Sequence, residues 1–252
     1  MLFLANPLAS LVFLSHLLPV TTATPLHARA PVIPPPPADP PLRPQGDGIG
    51  PYDSEDAGWR DYLSKAKFFG IAATAGELGL TNAEHNMRHY LGNSGDEVTI
   101  YPENMMAGLP DFRTAAQALV QNEATAAYKS ISTTTGSMAF SSKWSTYYAT
   151  QDQSWDWYFA IGGFSYSVTG VVTKTSGGGS LQYQMHVFDR YNWDGGKFVD
   201  IGPFHFEDTE LGNLHLKGLA REYIVMGSGL VNEVDSFTAG TVLAPPSTGG
   251  RN

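Results

Sequence analysis

Apolar positions recur at helical spacing through the first half of the chain and at strand spacing through the second. Trp59, Tyr62, Leu63, Ala66 and Phe69 mark a helix over 56–79. Thr81-Asn82-Ala83-Glu84 has the form of a capping box and opens a second helix through Leu91, which Gly92-Asn93-Ser94-Gly95 stops. Pro102 suits the first turn of a short helix. Pro110 begins a longer one reaching Lys129, with Phe112, Ala116, Leu119 and Val120 on one side. From Met138 the period shortens to two. Segments 143–150, 154–161, 164–175 and 181–191 are rich in Tyr, Trp, Phe, Val and Thr and read as strands. Ser176-Gly177-Gly178-Gly179-Ser180 joins two of them as a hairpin. One short strand follows over 197–201, then a helix over 208–220 capped by Asp208, then a last strand over 221–226.

Strands joined by short turns imply an antiparallel sheet with helices on one face. The expected fold class is α+β: a helical N-terminal half packed on an antiparallel sheet formed mainly by the C-terminal half. The ends differ from this pattern. Residues 2–20 are mostly apolar, but the continuous stretch 8–18 is too short for a membrane span. With the small residues Thr21-Thr22-Ala23 behind it, 1–23 reads as a signal peptide of a secreted, extracellular protein. Residues 24–54 form a proline-rich leader or linker, with eight prolines among the fourteen residues 31–44. That composition favours extended polyproline II and builds no core, whether it serves as spacer, propeptide cut near Arg29, or disordered tail. The expected globular domain is 55–238, and 239–252 reads as a flexible tail.

Composition narrows the chemistry. The chain has no cysteine, so thiol nucleophiles, thiolate metal sites and disulfides are excluded. No Asn begins an Asn-X-Ser/Thr sequon. A formal charge of −9 argues against nucleic acid or an anionic membrane as partner, and no stable membrane insertion is expected. Glu84-His85-Asn86-Met87-Arg88-His89 places two histidines at i and i+4, but Asn86 stands where a metalloprotease needs glutamate. No metal or other cofactor is expected.

The densest chemistry lies in Asp189-Arg190-Tyr191-Asn192-Trp193-Asp194-Gly195-Gly196-Lys197. Leu181, Tyr183, Met185 and Val187 share one strand face, and Asp189 is next on that face. A carboxylate on a core-facing stripe needs a partner, which makes it a candidate functional group. Tyr191 offers a phenol to an oxyanion. Asp194-Gly195 is equally a hairpin turn signal. On the last helix His215 shares the inner face with Leu211, Leu214 and Leu219. Candidate catalytic residues are therefore Asp189, Tyr191, Asp194 and His215, with Asn192, Lys197, Arg221 and Glu222 as candidate substrate-binding residues. No Gly-X-Ser-X-Gly elbow is present, so water is the expected nucleophile.

His89 to Gly95, Asp189 to Asp194 and Gly218-Leu219-Ala220-Arg221-Glu222-Tyr223 resemble exported bacterial and fungal proteins of unassigned role. The strand ending Asp189-Arg190-Tyr191-Asn192 is also similar to the Asp-X-Tyr-Asp motif of colicin M-type bacteriocin domains. That resemblance implies cleavage of a lipid-linked peptidoglycan precursor by aspartates acting with a downstream His-Arg pair. Asp189 and Tyr191 match; Asn192 replaces the second aspartate, and no His-Arg pair follows. The expectation is an extracellular toxin or effector with a hydrolytic Asp/Tyr/His site and a cell-envelope or glycan substrate. The alternative is a non-catalytic glycan-binding or interaction module that uses surface aromatics, Trp155 and Trp157 foremost.

Overall fold

The computed structural model describes residues 32–40, 48–196, 198–201 and 204–249. Segment 1–23, expected from sequence to be a signal peptide, lies outside them, as do parts of the proline-rich segment, Lys197, Gly202, Pro203 and the last three residues. The elements run α1 (Trp59–Glu77), α2 (Thr81–Gly92), β1 (Val98–Thr99), α3 (Pro102–Gly108), α4 (Pro110–Ser130), β2 (Gly136–Ser141), β3 (Ser145–Tyr148), α5 (Trp155–Ala160), β4 (Gly163–Thr175), β5 (Gly178–Tyr191), β6 (Phe198–Ile201), β7 (Phe204–Glu207), α6 (Asp208–Leu216) and β8 (Tyr223–Val234). The fold is α+β, with most helix in the first half and most strand in the second.

The main sheet has the order β1-β8-β5-β4-β2, and β3 pairs with β4 beyond β2. It is antiparallel except for β1, which runs parallel to β8 and makes the sheet mixed. The small pair β6–β7 stands apart from it. Leu181, Tyr183, Met185 and Val187 are all buried on the helix side, as alternation requires. Phe112, Ala116, Val120 and Ala124 of α4 complete this first apolar cluster. A second cluster joins α1, α2 and α6 to the far end of the sheet through Tyr191, Tyr223 and Val225.

Segments 154–161 and 208–220 depart from expectation, and the last strand runs to Val234, past its expected end at 226. Segment 154–161 is a helix, not a strand. Ser154 caps it by accepting the Trp157 N–H at 3.2 Å. The Asp156 carboxylate then caps α2, accepting the Asn82 and Ala83 N–H groups at 3.3 and 2.9 Å. The α2 start is therefore closed from outside; Thr81 is its first residue and makes no side-chain cap. Trp155 and Trp157 consequently do not share a face: Trp157 is buried and Trp155 is 52% exposed. The second departure is α6, which ends at Leu216 instead of continuing to Ala220. Gly218 adopts φ +65°, a left-handed turn that stops the helix.

At the C-terminus, residues 239–249 run along α4. Gln121 both donates to Thr241 O and accepts from the Leu243 N–H, and Leu243 is buried.

Candidate functional site

The end of β5 opens into a cavity of about 320 Å³. Ligand pockets run from roughly 300 to 1,000 Å³. Its apolar wall comes from Ile71, Ala72 and Ala75 of α1 and Met87 of α2. Its aromatic rim comes from Tyr148, Tyr158, Trp193 and Phe198. Its polar members are Asp189, Arg190, Asn192 and Asp194 from the β5 end and Asp208 from the first residue of α6.

The strand positions these groups by register. Asp189 pairs with Val225 and Tyr191 with Tyr223, and the Tyr191 and Tyr223 rings stack at 4.9 Å. Trp193 meets Tyr191 edge-on at 5.8 Å. Three buried tyrosines gather here, and their hydroxyls fare differently. Tyr90 donates to Leu211 O at 2.8 Å and Tyr223 to Asn86 O at 3.0 Å. The Tyr191 hydroxyl has no hydrogen-bond partner among the described residues, although it is buried; neither has the Trp193 Nε1–H. Burial raises the Tyr191 pKa well above the ordinary phenol value, and Asp189 and Asp208 raise it further. Both carboxylates thus bear on one phenol. A buried donor without a partner costs stability.

Of the remaining expected residues, Asn192 lines the cavity with its amide donating to Arg190 O and accepting from the Gly48 N–H. Asp194 sits at the exposed rim and also accepts from Gly48 N–H, at 3.1 Å. Gly195 and Gly196 both have positive φ, so the turn character of Asp194-Gly195 is present alongside its place on the rim.

His215, Arg221 and Glu222 form a different group. His215 is buried, does not line the cavity, and accepts the Glu222 N–H on Nδ1 at 3.1 Å. Its Nε2 stands 3.9 Å from the Glu222 carboxylate, and the Tyr52 ring meets it edge-on at 5.4 Å. Burial lowers its pKa and Arg221 adds to the effect, against a backbone contact from Gly50. Arg221 donates to Ser94 O at 3.3 Å and covers the Tyr52 ring. Glu222 links this group to the cavity, because its carboxylate accepts the Trp193 N–H at 3.2 Å.

Asp208, Tyr148 and Tyr158 join the site without having been singled out from sequence. Asp208 reads there as a helix cap, yet it is only 7% exposed and faces the cavity. The doubled acid Glu207-Asp208 was the available signal, and neither side chain caps α6. Among the described residues no three His, Asp or Glu side chains gather to hold a metal. His89 instead bonds Asp96 O and packs on Tyr223.

No protein-family model and no curated protein matches the chain. Among solved structures, the colicin M-like bacteriocin PaeM, produced by Pseudomonas aeruginosa, is similar over 62% of this chain at 13% identity and a TM-score of 0.31. The match spans about half of that chain, 51%. No helix of the described residues is long and apolar enough to cross a membrane.

Proposed function

We propose that the protein is an extracellular effector that hydrolyses a polyhydroxylated substrate of the cell-envelope or glycan class in the β5-end cavity. The observation that carries this reading is the Tyr191 phenol: buried, its hydroxyl without a hydrogen-bond partner among the described residues, and influenced by both Asp189 and Asp208. Carboxylates that accept from hydroxyls, beside aromatic faces that stack on apolar ring surfaces, suit a sugar-bearing ligand.

Asp189 takes the proton of the attacking water, and Asp208 returns one to the leaving oxygen. The Tyr191 O–H and Trp193 Nε1–H donate to oxygen charge that develops during attack. Tyr191 is well suited to this because burial, with the Asp189 carboxylate beside it, keeps the phenol protonated. Asn192 and Asp194 bind at the rim. His215 acts at one remove: through Glu222 it fixes the Trp193 backbone.

The test is product formation from envelope precursors and common glycans, followed by mass. Asp189→Asn and Asp208→Asn are each expected to lower turnover by about 10²–10⁴-fold, the range for a general acid or base. Wild-type turnover that both variants retain would remove the cavity from consideration.

A further inference from the structure

The face of the sheet turned away from the helices is also covered. On β5 this face carries His186, Phe188 and Arg190, and on β4 it carries Ser167 and Thr169. Phe188 is 2% exposed and His186 1%, so neither meets solvent. His186 is bracketed by Thr169 Oγ1 at 2.9 Å and Ser228 Oγ at 2.8 Å. Burial pushes its pKa down to about 4, which marks a dry floor.

Chain segment 32–40 is tied to this face by two hydrogen bonds. The Trp144 indole donates to Ala38 O at 2.8 Å, and the Arg190 guanidinium donates to Pro40 O. Trp144 and Phe188 lie 6.0 Å apart, and Arg190 covers the Phe188 ring at 4.9 Å. Residues 34–37 are four consecutive prolines. Prolines lack N–H groups and hold the backbone extended, so their carbonyls remain free to accept. An aromatic groove with an indole N–H directed at a carbonyl of a proline-rich strand is the chemistry by which polyproline II ligands are bound.

We infer that the outer face around Trp144, Phe188 and Arg190 is a polyproline-binding groove, and that the chain's own leader, residues 32–40, is its resident ligand. The leader is thus a tethered ligand and not a passive spacer. A groove held in cis is open to a proline-rich peptide in trans only when the leader is displaced or removed. Arg190 also lines the β5-end cavity, so leader seating reaches the rim of that site. The inference does not depend on what the cavity does.

The test uses the full-length chain and a full-length variant whose residues 32–40 are replaced by alternating glycine and serine. Each is titrated with a labelled peptide of sequence Val-Ile-Pro-Pro-Pro-Pro-Ala-Asp-Pro. The replaced chain is expected to bind at least about tenfold more tightly, because a short tether presents the native leader at an effective concentration on the order of millimolar. Trp144→Ala in the replaced chain should abolish binding. Trp144→Phe, which keeps a ring and the fold but loses the N–H, should weaken it about fivefold, the worth of one hydrogen bond. Equal binding by native and replaced chains, or binding indifferent to Trp144→Phe, overturns the groove. A native dimer that the peptide dissolves overturns seating in cis and gives the groove to a second copy's leader.

Discussion

The two ends of β5 obey the same alternation and meet different neighbours. From Leu181 to Val187 the inward side chains enter a cluster closed by α4, where Phe112 touches Phe164 and Tyr166 edge-on at 4.9 and 5.3 Å. From Asp189 to Trp193 the strand meets α1, α2 and α6, which leave a cavity with polar groups in it. A strand fixes which way a side chain points; the elements packed on it decide whether that direction ends in a core or in a site. Here the boundary falls between Val187 and Asp189.

Phe112→Ala should break the packed end most severely. It removes a fully buried ring and should cost about 3–5 kcal/mol, read as a lower denaturant midpoint. At the open end, the effect of comparable size is on rate, through Asp189→Asn and Asp208→Asn, with stability changed far less.

Acid separates the two faces of the sheet. His186 is neutral in the fold, with its pKa near 4, while an unfolded histidine titrates near 6.5. The unfolded chain binds the proton more readily, so stability is full above about pH 6.5 and falls as pH drops toward 4. His215, also depressed by burial, adds in the same direction. Urea midpoints at pH 7 and pH 5 check this, and His186→Gln should flatten the difference.

The smallest effects distinguish two tyrosines. Tyr90→Phe removes a bonded buried hydroxyl and strands Leu211 O, costing about 1 kcal/mol. Tyr191→Phe removes a hydroxyl with no partner among the described residues and should be neutral or slightly stabilising, while turnover falls. Thermal midpoints of the pair, measured together, show whether the open end carries strain for function. An equal loss in both would mean that the Tyr191 hydroxyl is bonded.

Much of this was legible in the sequence, and the failures are instructive. The long helices carry their own punctuation, Pro110 and Gly92 among it, and the β5 stripe predicted both its buried face and the anomaly at Asp189. Segment 154–161 reads as a strand because Trp155, Trp157, Tyr158 and Phe159 favour strands locally, while its cap and tertiary contacts decide for helix over Trp155–Ala160. Ser154 caps it, and Asp156 reaches α2. Strands β1, β2 and β7 went unread: β1 is two residues long, β2 is small and polar, and β7 is four residues directly before α6. In the site, Asp189, Tyr191, Asn192 and Asp194 come together because the end of β5 and the turn directly after it carry them. Asp208 and His215 depend on how α6 docks, which its own pattern does not state. That docking turns Asp208 into the cavity and His215 toward Glu222.

The central question is which of two polar groups does the chemistry, half-buried Asp189 or buried His215. The direct measurement is turnover of an envelope or glycan substrate by Asp189→Asn beside His215→Gln, both confirmed folded. The account predicts a loss of at least about 100-fold for the aspartate variant and a change within about threefold for the histidine variant, whose group acts only through Glu222. Full activity in Asp189→Asn with loss in His215→Gln would contradict it and move the site to the His215–Glu222 group.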